Sequence, residues 1–137
     1  MGNTRIKAGL ASLAGVVVAV FVVAIVEMAG HAIFPPPAGL DPTNPADLER
    51  LWEVVQPAAK AMVVLAWFLG SLTGSCTAIA ISRRVVPAWV VGAIIAAFSL
   101  YASQMFPHPA WMVISAIVLP LVAVLVAKRL MASKLAN

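Results

Sequence analysis

Four long apolar runs, broken by prolines at one level and by basic residues at the other, constrain this chain more than any other feature. Residues 8–33, 61–81, 85–106 and 110–127 are each long enough, at about 1.5 Å per residue, to cross most or all of a hydrocarbon core about 30 Å thick. Backbone in lipid must satisfy its own hydrogen bonds, so such runs fold as helices. The expected fold is all-α: a polytopic membrane protein whose 137 residues form one domain, a four-helix transmembrane bundle. Hydrophobic residues make up 63% of the chain and charged ones 10%, which leaves no room for a separate soluble domain. Anything functional must sit on the helices or in the polar stretch over residues 35–56.

The positions of the charges set an orientation. Arg5, Lys7, Arg83, Arg84, Lys128, Arg129 and Lys134 all fall at one level of the bundle, whereas Glu27, Asp41, Asp47, Glu49 and Glu53 fall at or near the other, with only Arg50 and Lys60 beside them. This is the positive-inside pattern, so both termini are expected in the cytoplasm and the chain in a bacterial plasma membrane. The same distribution explains the net charge of +4 without nucleic acid, which is not expected as a partner. The first run is too long for a secretory signal and is read as a retained helix. Ile6 stands where a myristoylation motif needs Ser or Thr.

The first outer loop carries a helix signal of its own over residues 45–56. Thr43-Asn44-Pro45 supplies a cap and a proline for the first turn, and Asp47 and Glu49 are the acids that favour a helix start. Leu48, Leu51, Trp52 and Val55 then recur on one face, the pattern of a short amphipathic helix lying on the membrane or over the mouth of the bundle. Its acidic polar face favours a lid over a lipid anchor. The sequences Phe34-Pro35-Pro36-Pro37-Ala38 and Phe106-Pro107-His108-Pro109-Ala110 echo one another at the outer level. A duplicated hairpin would place them so, although proline is also a common way to end a membrane helix.

Glu27 and His31 are the residues most suited to chemistry. They lie one turn apart on the first helix: Glu27, roughly 27 Å beyond Gly9, is near the outer edge of the hydrocarbon, and His31 is at about the outer headgroups. Ionisable groups at that depth are candidates for function. Imidazole changes charge near neutral pH, so a carboxylate and an imidazole on one helix face suit proton or cation binding. His108 returns to the same level with Ser103 and Gln104, giving a candidate ligand or proton site of Glu27, His31, Ser103, Gln104 and His108. If a metal binds at all, its ligands are Glu27, His31 and His108, a donor set for Zn²⁺ or Fe²⁺ with open positions. The plainer reading is that Glu27 hydrogen-bonds His31 or Lys60. No cofactor is indicated by any motif.

Cys76 stands alone, which excludes an intrachain disulfide and a CxxC redox pair. Gly70 and Gly74 form a small-xxx-small face for helix packing, within the bundle or between copies. Ser and Thr around them are expected to bond back to carbonyls of their own helix. Pro120 should free the carbonyl of Ala116 and kink the fourth helix. Trp52, Trp67, Trp89, Trp111 and Tyr101 are expected in interfacial belts, with Trp111 also beside His108.

No phosphate loop, HExxH, GxSxG or paired catalytic aspartates are present, so the chain is not expected to be an enzyme. The function expected is transport or handling of protons, cations or a small solute through an outer polar pocket. The alternative is a non-catalytic accessory or assembly subunit of a larger membrane complex. Partners are the lipid bilayer and either further copies of the chain or other membrane subunits.

Overall fold

The computed structural model describes residues 2–136. Among them the elements are six helices and no strand: α1 (Gly2–Ile33), α2 (Pro45–Val54), α3 (Pro57–Ser82), α4 (Val86–Met105), α5 (Ala110–Leu130) and the single turn α6 (Ala132–Leu135). Of these, α1, α3, α4 and α5 are long and apolar enough to cross a membrane, and the chain is an all-α integral membrane protein.

The helix ends follow backbone chemistry more closely than hydropathy. At its start, α1 begins six residues before the apolar run, because Gly2–Lys7 can continue the hydrogen-bond ladder whether or not lipid surrounds them. It stops where Phe34 N–H donates to the Gly30 carbonyl at 2.8 Å and three prolines follow. Asn44 caps α2 by accepting from the Ala46 amide at 3.0 Å, with Pro45 in the first turn. The helix ends at Val54, short of the expected residue 56, because Pro57 forces the preceding Gln56 out of helical conformation and opens α3 itself. Arg83 ends α3 in the left-handed region at φ 55°, donating its amide to the Ile79 carbonyl at 2.8 Å.

The core is organised around α3, which packs against α1, α4 and α5, while α4 also meets α1 and α5. Glycines set the α1–α3 approach. A Cβ on Gly15 would come within 2.6 Å of the Gly74 carbonyl oxygen, and one on Gly70 within 2.8 Å of the Ala19 oxygen. Gly70 and Gly74 are therefore a packing face inside the chain, mated with Gly15 and Ala19. Gly92 plays the same part between α4 and α5, against Val124 and Pro120.

The buried hydroxyls tie helices together. Thr73, Thr77 and Ser82 bond back to carbonyls on α3 as expected. Ser71 and Ser75 do not: Ser71 Oγ donates to the Pro120 carbonyl on α5 at 2.8 Å, and Ser75 Oγ to the Ala88 carbonyl on α4 at 3.4 Å. With glycines thinning the interface, a neighbouring carbonyl comes within reach of a short side chain. The helix of α5 runs on through Pro120 to Leu130.

Trp67 departs from the expected belt. It is 3% exposed and packs with Val64, Met112 and Ala116, whereas Trp89 (38%), Trp111 (46%) and Tyr101 (63%) lie on the outside.

Candidate functional site

The proline-rich end of the bundle does not close. Between α1, α2, α3 and α4 lies a cavity of about 410 Å³. From α1, helical spacing turns Glu27, Gly30, His31 and Phe34 toward it; from α4, Phe98, Ala102 and Phe106 do so at steps of four. Ala59, Lys60, Met62, Val63 and Trp67 of α3 form the floor and one side, and Leu48, Leu51 and Trp52 of α2 cover it with Val55. The lining is mainly apolar, with Glu27, His31 and Lys60 as its ionisable groups. The polar pocket expected from sequence is thus an apolar one with a few polar groups.

A ring contact fastens the covering helix. The Trp52 and His108 ring centroids are 4.3 Å apart, with Trp67 and Phe106 each 6.2 Å from His108. Lys60 Nζ lies 5.9 Å from the Trp52 ring centroid, within reach of a cation–π attraction. The His108 ring is oriented by Nδ1, 3.0 Å from the Phe106 carbonyl oxygen. Upstream, the Asp41 carboxylate accepts from the Thr43 hydroxyl at 2.7 Å and the Thr43 amide at 2.8 Å, forming the turn that leads into α2. Those two bonds, the hydroxyl's first, hold the Asp41 carboxyl below the usual carboxylate range.

The five residues proposed as one site divide. Glu27 and His31 share the cavity wall. His108 lines a separate open depression with Glu49, Trp52, Glu53, Lys60, Pro107 and Pro109, so Trp52 and Lys60 border both spaces. Ser103 is buried, its hydroxyl donating to the Leu100 carbonyl at 2.7 Å, and Gln104 Nε2 donates to Ser103 Oγ at 3.4 Å; neither lines the cavity. Among the described residues no three His, Cys, Asp or Glu side chains are grouped to hold a metal, so the set of Glu27, His31 and His108 is not assembled. His108 lies instead beside Trp52, outside the wall that Glu27 and His31 share.

Glu27 does not satisfy itself as the plainer reading expected. His31 Nδ1 lies 2.8 Å from the backbone carbonyl of Glu27, and a carbonyl can only accept, so Nδ1 carries the proton. Among the described residues the Glu27 carboxylate has no hydrogen bond or ion pair; Lys60 is over Trp52 instead. Sequence reading missed the aromatic wall of Phe34, Trp67, Phe98 and Phe106. A signal for part of it was present, since Phe34 and Phe106 open the two proline echoes.

No family model, curated protein or solved structure matches this chain. The functional reading therefore rests on geometry.

Proposed function

We propose that the protein binds a small, mainly apolar solute in the cavity beneath α2, at the outer surface of the membrane, as a solute-handling or transport protein without catalytic activity. The cavity itself carries this reading: about 410 Å³, partly open and lined from four helices, apolar with a few ionisable groups, as small-molecule sites generally are. The outer placement follows from the basic residues at the opposite end, which by the positive-inside rule lie in the cytoplasm with both termini. Trp52 and His108 make α2 the cover through which the solute enters.

Binding is favoured over conduction through a single chain. Among the described residues the buried polar side chains, Ser71, Ser75, Ser82, Ser99 and Ser103, all donate to backbone carbonyls and supply no polar path toward the basic end. Passage across would need a second arrangement of the helices.

The test is energy transfer from Trp52 and Trp67 to a small neutral solvatochromic dye, with the protein in lipid nanodiscs. Saturable transfer that Ala102→Trp abolishes supports a solute cavity. Transfer that rises linearly with dye and is equal in both proteins would reduce the signal to lipid partition and remove the reading.

A second reading, association with further copies or with another membrane subunit, is favoured by α1. Its buried residues are only Ala11, Gly15, Ala19 and Gly30, and Leu13, Phe21, Ile25 and Met28 are turned outward. Lipid covers such a face as well as protein does.

A further inference from the structure

We propose that the solute recognised by this cavity is an organic amine in its ammonium form, carrying an aromatic or alkyl body. The inference rests on the solute-binding reading above and names its ligand class.

Three observations lead there. First, the Glu27 carboxylate faces the cavity with no hydrogen bond or ion pair among the described residues. A half-buried carboxylate with no hydrogen-bond donor is matched by a ligand that brings N–H donors and positive charge. Second, the other ionisable groups on the wall are already engaged. Lys60 holds its ammonium over the Trp52 ring and also borders the depression that carries Glu49 and Glu53. The His31 Nδ1–H donates to the Glu27 backbone carbonyl, which holds the ring one turn from the carboxylate. Third, Phe34, Trp67, Phe98 and Phe106 stand on the wall among aliphatic side chains, a lining that suits a cation with an apolar body. An anionic solute would meet Glu27 unpaired, and a neutral hydrocarbon would leave the carboxylate stranded beneath it.

The geometry gives each group a part. Glu27 fixes the ammonium, the aromatic rings hold the body, and α2 covers it with Leu48, Leu51 and Trp52. No bond is made or broken; the step is binding alone.

The experiment is isothermal titration calorimetry of the full chain in nanodiscs, with empty nanodiscs as the lipid blank, using 4-phenylbutylamine and its neutral counterpart 4-phenylbutanol. The amine is expected to bind about tenfold more tightly than the alcohol, and Glu27→Gln to remove that difference while leaving alcohol binding unchanged, which also shows that the variant is folded. Equal affinity for the two compounds, unaltered by Glu27→Gln, would overturn recognition of the ammonium and leave the solute cavity standing. Saturable binding of neither compound to the wild-type protein would overturn both.

Discussion

Trp52 of α2 and His108 of the α4–α5 turn hold their ring centroids 4.3 Å apart at a 44° tilt, and this contact joins the covering helix to the transmembrane bundle. Trp52 lines the cavity, so the contact ties the cavity's cover to the turn that carries His108. An aromatic contact of this kind contributes about 0.5–1.5 kcal/mol beyond area burial. His108→Ala should therefore raise amide exchange across Pro45–Val54 roughly two- to tenfold, while Trp111→Ala leaves it unchanged. Hydrogen exchange read by mass spectrometry in nanodiscs measures both.

The α1–α3 interface admits no side chain at its closest points. A Cβ on Gly70 would lie 2.8 Å from the Ala19 carbonyl oxygen, and Gly74 faces Gly15 equally closely. Gly70→Ala and Gly74→Ala should each cost about 1–3 kcal/mol, and Gly70→Leu should expel α1 from the bundle. Gly9→Ala, with open space around it, should be neutral. Thermal unfolding in detergent, with the variants at equal concentration, separates these outcomes. An effect on the mass of an assembly without an effect on unfolding would instead place the glycine face between copies.

Ser71 and Pro120 form the shortest hydrogen bond between membrane helices here, at 2.8 Å, against 3.4 Å for Ser75 and Ala88. Ser71→Ala should cost about 0.6 kcal/mol, the usual worth of such bonds in a membrane bundle, and Ser75→Ala less. Equilibrium unfolding of the two variants gives the comparison.

Asp41 gives the loop before α2 a pH dependence of known sign. Its folded carboxyl is held low by the Thr43 hydroxyl and amide, so the turn is stabilised by it above the ordinary carboxylate value, about 3.9, and that stabilisation is lost as pH falls through the lower folded value. Protection of the Thr43 amide, read against its intrinsic exchange rate at each pH, should fall on acidification through that window. Asp41→Asn, which keeps an acceptor and cannot titrate, should flatten the profile.

Much of this architecture is legible in the residues because lipid leaves the backbone few choices. The four spans follow from apolar length, and α2 follows from the Asn44-Pro45 cap and the Leu48, Leu51, Trp52 and Val55 stripe. The site is legible only on α1, where Glu27 and His31 share a face fixed by helical spacing. What joins them is not local. The placement of His108 depends on a ring contact across the fold, and the partner of Ser71 comes within reach beside Gly92 of α4, which packs against Pro120. Trp67 is buried and not in a belt; an aromatic residue near a helix end reads the same in sequence whether it faces headgroups or the core. Lys60 does not pair with Glu27; opposite charges at one level do not reveal the competing ring of Trp52.

Native mass spectrometry of the protein released from its own lipids tests the solute cavity most directly. A chain mass carrying a bound small molecule, lost in Ala102→Trp, is the result predicted; a chain without bound solute that travels with foreign subunits would contradict it.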